Sequence, residues 1–248
     1  MSELSEKTVL VVGASRGLGR GIARAFGEAG APVVAIARTA SELADLAAGS
    51  ANIRTEVADA TDATIARNLL NKHNPAVLIL VAGAKPGMGP LQNQTWETFS
   101  VSWHTDVKIA FTWLREVLLK PLSPGSRVVL ISSGAALFGS PESGGYAGSK
   151  ATQRFIAEYA QEEAARAGFD ISVTAVMPKM TPLGDVGKLG VQAYAARSGQ
   201  TEDAFLKEMG PLLTPEIAGS AIVSLVQSDR KTIAPGYLLS AAGLKEVS

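Results

Sequence analysis

Short apolar runs alternate with longer segments of helical periodicity along almost the whole chain of 248 residues. Runs dominated by valine, isoleucine and leucine are typical of strands buried on both faces, as in parallel sheets. Strands are therefore predicted at residues 9–12, 33–37, 76–82, 128–131 and 171–176, with weaker ones at 54–58 and 237–239.

Segments with helical spacing of apolar residues fill most of the intervals between these strands. Glycine, which is common just beyond a helix C-terminus, follows the predicted helices at residues 17–29, 39–48 and 143–167. The sequence Thr-Pro-Glu at 214–216 has the order of an N-cap, a first helical residue and an acid in the first turn. A further helix is predicted from there to about residue 227.

The repeated order of strand, helix and strand limits the folds open to this chain. Parallel strands need crossover connections, and helical crossovers cover both faces of a sheet. We therefore predict an α/β fold, a doubly wound Rossmann-like parallel sheet of about seven strands, in one domain over residues 1–248. Residues 178–213 interrupt the alternation after a predicted strand, and ligands bind at the carboxyl ends of such strands, so this segment is predicted to be a substrate lid.

Composition excludes several classes of function. The 23 lysines and arginines balance the 23 acidic residues, so nothing in the net charge favours nucleic acid or an anionic membrane as a partner. The chain has no cysteine, which excludes disulfides, thiolate zinc sites and a cysteine nucleophile. Neither His73 nor His104 has a histidine three or four residues away, so no catalytic metal is expected.

The first residues and the longest apolar runs bear on location. Glu3 and Glu6 precede the first apolar run, whereas a secretory signal begins with basic residues. No apolar run approaches the roughly 18 residues of a membrane span. We expect a cytoplasmic protein without a membrane segment.

A glycine-rich turn, Gly-Ala-Ser-Arg-Gly-Leu-Gly, follows the first predicted strand and leads directly into a helix at residues 13–19. Glycines let the backbone turn sharply and approach a phosphate, and a helix N-terminus offers N–H groups to an anion. This context predicts a site for the pyrophosphate of a dinucleotide. The alternative is a tight turn that needs glycine only for packing.

The end of the second predicted strand bears on the choice of cofactor. An acid at this place binds the ribose 2′-hydroxyl of NAD, but the chain has Arg38 followed by Thr39. Because a guanidinium makes bidentate contacts with phosphate, Arg38, helped by Arg16, favours NADP, with NAD as the alternative cofactor. The competing interpretation is that Arg38 is a solvated charge and that Thr39 forms only a capping box with Glu42.

Tyr146 and Lys150 lie four residues apart, on one face of a predicted helix. A free phenol has a pKa near ~10, and a neighbouring ammonium lowers it, which makes proton exchange with a substrate oxygen practicable. The spacing alone would favour an ordinary surface pair. Ser133, however, follows a buried strand thirteen residues before the tyrosine, where its hydroxyl would face the ligand crevice and hold a carbonyl.

These motifs together resemble the short-chain dehydrogenase/reductase family over about residues 9–243, in length, element order and spacing. The matching positions are Gly13, Gly17 and Gly19 of the cofactor turn, Asp59 as the acid that touches adenine, and Ser133, Tyr146 and Lys150 as the catalytic residues. The resemblance implies an NAD(P)-dependent oxidoreductase of a small carbonyl or alcohol substrate, in which Tyr146 supplies or accepts the proton.

The resemblance also implies further contacts with the cofactor and with other subunits. The residues concerned are Ser15, Arg16 and Leu18 at the pyrophosphate, Lys150 at the nicotinamide ribose, and Ala82, Gly83, Tyr146, Pro178 and Thr181 beside the cofactor. A homodimer or homotetramer paired through the helices before and after the fifth strand is implied as well. Trp96, Trp103 and Trp113 are predicted to lie in the core or at this interface.

Three of the departures from the family pattern bear on the site. Asp106 stands where the family has an asparagine whose main-chain carbonyl takes part in a proton relay through a water. An ionised Asp106 beside Lys150 would offset part of the positive field at Tyr146, whereas a shifted helix would make it a surface acid. Val81 replaces a bracing amide, and Lys179 replaces a glycine after the sixth strand, where it restricts the backbone and the closure of the lid.

The sequence is compatible with three alternative functions. The first is an NADP-dependent carbonyl reductase or alcohol dehydrogenase. The second is a protein that binds the dinucleotide with weak or lost turnover and acts as a sensor or interaction partner. A methyltransferase on a similar sheet would explain the glycine turn but would leave Tyr146 and Lys150 without a role.

Overall fold

The computed structural model describes residues 4–247, and one eight-stranded sheet runs through it in the order β3-β2-β1-β4-β5-β6-β7-β8. Strands β1 to β7 are parallel, and β8 pairs antiparallel with β7. The strands are β1 Val9–Val12, β2 Val33–Ala37, β3 Ile53–Val57, β4 Val77–Leu80, β5 Ser126–Ile131, β6 Ile171–Pro178, β7 Gly236–Ser240 and β8 Gly243–Glu246.

Helices connect the parallel strands. They are α1 Gly17–Glu28, α2 Ala40–Ala48, α3 Ala63–His73, α4 Trp96–Ser102, α5 Lys108–Leu119, α6 Ala135–Phe138, α7 Tyr146–Arg166, α8 Asp185–Ser198, α9 Glu202–Glu208 and α10 Pro215–Gln227. A π-helical turn, Trp103–Val107, joins α4 to α5, and two short 3₁₀ helices cover Leu91–Asn93 and Arg230–Thr232. No helix within residues 4–247 combines the length and apolarity needed to cross a membrane.

The predicted doubly wound fold is confirmed, with two local corrections. The sheet has eight strands rather than about seven, because β8 is a short edge strand whose Gly-Leu-Lys-Glu sequence lacks an apolar run. The helix predicted from residue 143 begins at Tyr146, because Gly144 has a φ of +55° and the chain is still in a turn there.

Two apolar layers hold the sheet between its helices. Side chains alternate across a strand, so Val9 and Val11 of β1 enter one layer while Leu10 and Val12 enter the other. Helices α1, α2 and α10 cover the first face, and α3, α5 and α7 cover the second. Trp113 is buried in the second layer, where its indole N–H donates to the carbonyl oxygen of Ala60 at 2.9 Å.

The strand order changes direction between β1 and β4, which lie side by side at the centre of the sheet. In doubly wound sheets the loops diverge at such a point and leave a crevice beyond the carboxyl ends of the strands. The segment 178–213, which showed no strand pattern, contains α8 and α9 and contributes residues to this crevice.

Candidate active site

A cleft of about 1030 Å³ lies at the carboxyl ends of the strands. Every residue that the sequence analysis assigned to the site lines this cleft: Gly13, Ser15, Arg16, Gly17, Leu18, Gly19, Arg38, Thr39, Asp59, Ala82, Gly83, Asp106, Ser133, Tyr146, Lys150, Pro178 and Thr181. Residues far apart in the chain thus meet in one place because seven parallel strands end at the same edge.

The glycine turn between β1 and α1 requires glycine at two positions. Gly13 has a φ of +96°, and a Cβ there would lie 2.5 Å from the backbone nitrogen of Ala82. A Cβ on Gly19 would lie 2.0 Å from the carbonyl oxygen of Gly13. Arg16 is the N-cap residue of α1, and within residues 4–247 no side-chain hydrogen bond from it caps the helix. The amides of the first turn therefore suit an anion in the cleft.

Arg38 and Asp59 lie in the adjoining part of the cleft. Thr39 is the N-cap residue of α2, but its side chain caps no amide among the described residues, so the proposed capping box with Glu42 is absent there. Asp59 accepts hydrogen bonds from the backbone N–H and the hydroxyl of Thr61, both at 2.9 Å. These bonds hold the pKa of Asp59 below its usual value, and the positive charge of Arg38 acts in the same direction.

The segment 178–213 is tied to the rest of the cleft by polar contacts. Arg16, expected to assist Arg38, forms an ion pair with Asp185 at 2.9 Å, at the start of α8. Arg197 forms an ion pair with the buried carboxylate of Glu142. The hydroxyl groups of Tyr194 and Ser140 are hydrogen-bonded at 2.7 Å.

The replacements at Val81 and Lys179 are accommodated by the backbone. The N–H groups of Val81 and Ala82 both donate to the carbonyl oxygen of Val12 at 2.9 Å. The N–H of Lys179 donates to Leu239 at 2.8 Å. Among residues 4–247 the one non-glycine residue with a positive φ is Asn74, so lysine at 179 adopts an ordinary backbone conformation.

Tyr146 and Lys150 stand on the first turns of α7. The Lys150 Nζ lies 5.4 Å from the centre of the Tyr146 ring. The hydroxyl of Ser132 donates to the carbonyl oxygen of Lys150 at 2.7 Å and joins β5 to the helix. Ser133 accepts a hydrogen bond from the N–H of Ala135 at 3.2 Å, and its hydroxyl lines the same cleft as Tyr146.

Asp106 is completely buried in the π-helical turn, which contradicts the interpretation of a surface acid. Its Oδ1 accepts from the N–H of Ala84 at 2.7 Å, and its Oδ2 lies 3.0 Å from the Nζ of Lys150. The second contact is a close ion pair rather than a well-directed hydrogen bond. A Cβ on Gly83 would lie 2.9 Å from Oδ2, so glycine leaves room for this carboxylate.

The electrostatics of Lys150 follow from these neighbours. Burial lowers the pKa of a lysine, but the Asp106 carboxylate and the Tyr146 phenol more than compensate, and the pKa of Lys150 is raised above its usual value. The side chain is therefore an ammonium at neutral pH. Its positive charge lies beside the Tyr146 ring, and the carboxylate of Asp106 offsets part of the field of that charge.

Gln153 is a site residue that the sequence analysis missed. Its Oε1 accepts from the Nζ of Lys150 at 2.9 Å, and its Nε2 donates to the main-chain oxygen of Asp106 at 2.9 Å. The side chain is only 1% exposed. A glutamine three residues after Lys150, on a buried helix face that continues with Ala157 and Ala160, was a signal for such a polar contact.

Comparison with known proteins identifies the family. Residues 7–188 match the family model of the short chain dehydrogenases. The chain is 29% identical over 203 residues to an uncharacterized short-chain type dehydrogenase/reductase, y4vI, of Sinorhizobium fredii, in an alignment that covers 77% of this chain and 36% of that longer relative. It is 28% identical over 187 residues to L-xylulose reductase of Bos taurus, covering 73% of this chain and 75% of that relative.

A solved structure supports the same fold. A variant of the actinorhodin polyketide ketoreductase, crystallised with NADPH, superposes with a TM-score of 0.81 at 21% identity, covering 95% of this chain and 96% of that chain. The family match covers most of the sheet and all of the residues from Gly13 to Thr181 assigned above. The chain belongs to the short-chain dehydrogenase family of nicotinamide-dependent oxidoreductases.

Proposed function

We propose that this protein is an NADPH-dependent reductase of a small carbonyl compound, or the corresponding alcohol dehydrogenase. The observation that carries this proposal is the meeting of Tyr146, Lys150 and Ser133 with the glycine turn in one cleft. The bound nicotinamide supplies or accepts the hydride. Side chains of the protein carry out the acid–base chemistry and orient the substrate.

Each of these side chains has a chemical role that fits its surroundings. The hydroxyl of Ser133 holds the substrate oxygen by a hydrogen bond. Tyr146 donates a proton to that oxygen in reduction, or accepts it in oxidation. The buried ammonium of Lys150 stabilises the phenolate that remains after proton donation.

Different residues of the cleft suit different parts of the cofactor. The amides at the start of α1 suit the pyrophosphate, and Asp59 lies where the adenine would be. We assign the nicotinamide end to Lys150 and to Ala82, Gly83, Pro178 and Thr181, which line the inner cleft. Arg38, exposed at the end of β2, is the residue that favours the 2′-phosphate of NADP.

Replacing Arg38 with alanine is expected to weaken NADPH about tenfold or more and to change NADH little. Loss of a charged hydrogen bond costs about 1.5–3 kcal/mol, and only NADPH carries the phosphate. Titration of nicotinamide fluorescence measures both affinities. Arg54→Ala, an exposed arginine on β3, is the matched control, and equal losses for the two cofactors in Arg38→Ala would remove the assignment.

The segment 178–213 is proposed to act as the substrate lid. Met180, Leu183 and Met209 line the cleft and give it an apolar wall. Substrates with a carbonyl beside an apolar body, such as cyclic or long-chain ketones, therefore suit the site.

The proposed activity is tested by incubating the protein with NADPH and a panel of ketones and aldehydes while nicotinamide absorbance is followed. Consumption that depends on the carbonyl compound and is absent in Tyr146→Phe supports the proposal. NADPH binding without turnover of any compound would favour the second candidate, a sensor or interaction partner. The ion pair of Asp106 with Lys150 is the observation that keeps this alternative open, since it offsets part of the positive charge beside Tyr146.

The assembly proposed is a homodimer or homotetramer. Exposed aromatic side chains occur on the adjacent helices α5 and α7 and on the π-helical turn: Trp103, Phe111, Phe155 and Tyr159. Trp96 is also exposed, whereas Trp113 is in the core. Exposed aromatic side chains on helices that pack together fit a contact with a second copy of the chain. Light scattering is expected to give at least twice the monomer mass, and Phe155→Glu is expected to lower it, unlike Val57→Glu at the sheet edge.

A further inference from the structure

A buried polar cluster lies behind Tyr146, formed by Asp106, Lys150 and Gln153. The three side chains are 0%, 4% and 1% exposed, respectively. Burying a carboxylate, an ammonium and an amide is favourable only if they satisfy one another. Gln153 forms hydrogen bonds with both other members of the cluster, so its side chain does more than fill space.

Gln153 occupies one of the three donor directions of Lys150. An ammonium carries three N–H groups. The Oδ2 of Asp106 lies 3.0 Å from Nζ and the Oε1 of Gln153 lies 2.9 Å from it, on a different element of the fold. The amide of Gln153 takes one donor by a hydrogen bond, and the carboxylate of Asp106 holds the ammonium as an ion pair. Donor capacity is left for the side of Tyr146 and the cleft.

The other end of Gln153 fixes the backbone that carries Asp106. Its Nε2 donates to the main-chain oxygen of Asp106 at 2.9 Å. This oxygen belongs to the π-helical turn, where the regular hydrogen-bond ladder is interrupted. One amide thus couples the position of the ammonium to the position of the turn that brings the carboxylate to it.

We propose that Gln153 is a positioning residue of the active site, whose amide holds the Lys150 ammonium between Asp106 and Tyr146 and thereby sets the ease with which Tyr146 ionises. Without this acceptor the ammonium has one strong partner in the protein, the carboxylate, and shifts towards it. The positive charge at the phenol then weakens, and Tyr146 ionises at higher pH.

Few groups shift the pKa of Lys150, so the effect of Gln153 on Tyr146 can be measured separately. The groups that shift its pKa among the described residues are the carboxylate of Asp106, from the π-helical turn, and the phenol of Tyr146, on α7 itself. Other charged or titratable side chains on elements packed against α7 are not among the causes of that shift: His104 of the π-helical turn, Glu97 of α4, Lys108, Arg115 and Glu116 of α5, and Arg127 of β5.

The test compares Gln153→Met with the unchanged protein. Methionine keeps the length of the side chain and removes both hydrogen bonds. Ionisation of Tyr146 is followed by tyrosinate absorbance, as the difference between each protein and its Tyr146→Phe counterpart. We expect the pH midpoint of Tyr146 to rise by about one unit in Gln153→Met, a tenfold weaker ionisation at a given pH, because the ammonium then lies farther from the phenol.

A control on the same helix separates positioning from stability. Gln161 accepts a hydrogen bond from the N–H of Val173 at 2.7 Å, far along α7 from Lys150. Gln161→Met is expected to lower the melting temperature without moving the Tyr146 midpoint. If Gln153→Met does the same, the amide is merely structural and the proposal is overturned. Should Gln153→Met fail to fold, Gln153→Leu is measured by the same criterion.

Turnover gives a second, separate readout that rests on the proposed function. With a carbonyl compound that the unchanged protein reduces, Gln153→Met is expected to lower kcat about tenfold and leave KM for that compound unchanged. A fall confined to KM would contradict a role in positioning the proton donor. Absence of turnover in the unchanged protein would count against the proposed function alone, because the tyrosine titration still decides the role of Gln153.

Discussion

Replacing Tyr146 with phenylalanine is expected to lower kcat by about a hundredfold to ten-thousandfold, the usual contribution of a positioned acid or base. The ring stays in place at the start of α7, so packing is preserved and only the hydroxyl is lost. The pyrophosphate and the 2′-phosphate are assigned to other residues, so NADPH affinity is expected to stay nearly unchanged. Steady-state kinetics and a binding titration measure the two quantities.

Tyr159→Phe is the matched control for this change. Tyr159 lies on the same helix but is exposed on the aromatic surface away from the cleft. Its variant is expected to keep full activity. If Tyr146→Phe also keeps most of its kcat, the proton reaches the substrate by another route, and the assignment of Tyr146 as the acid is wrong.

Replacing Asp106 with alanine is expected to lower the free energy of unfolding by about 3–5 kcal/mol, because removing one partner leaves the other charge buried and unpaired. Here the stranded group is Lys150, together with the N–H of Ala84. For a chain of this size each 1 kcal/mol corresponds to about 2–4 °C in melting temperature. Denaturant unfolding at neutral pH measures the loss.

The pH dependence of this loss follows from the sign of the lysine shift. The pKa of folded Lys150 lies above its usual value of 10.5. A raised pKa contributes stability that is fully present below the unfolded value and disappears as pH rises through the folded value. The contribution of the Lys150 pair to the stability of the unchanged protein is therefore expected to be constant near neutrality and to disappear only in strong alkali.

An exposed ion pair supplies the comparison for Asp106→Ala. Asp185 pairs with Arg16 while its side chain is 41% exposed. Surface pairs contribute about 1 kcal/mol or less, so Asp185→Ala is expected to change stability little. If the two variants lose the same free energy of unfolding, the buried pair with Lys150 contributes no more to stability than an exposed pair.

The fold was predictable from the sequence because its determinants are local. Valine-rich and isoleucine-rich runs indicated the parallel strands, and glycines marked the helix ends. Strand β8 was missed because an edge strand needs no apolar run: Leu244 lies between a glycine and a lysine. The same locality explains why the glycine turn and the Tyr146 and Lys150 pair were recognisable, as each is set by spacing within one element.

The remaining site features depend on contacts between distant segments. No local pattern indicates the π-helical turn that places Asp106 against Lys150 and its carbonyl against Gln153. Arg16 was expected at a phosphate, but its ion pair with Asp185 arises from the way α8 returns over the cleft. Such pairs follow from the packing of the segment 178–213, which the alternation of strands and helices did not describe.

The central claim is that the cleft binds a nicotinamide dinucleotide with a preference for NADPH. Titration of the purified protein with NADPH and with NADH, followed by thermal stabilisation, tests it without a known substrate, because a ligand that binds the folded state raises its stability. We predict that both stabilise the protein and that NADPH does so at lower concentration. Absence of stabilisation by either cofactor at about 1 mM would contradict the account, because binding would then be weaker than about 4 kcal/mol.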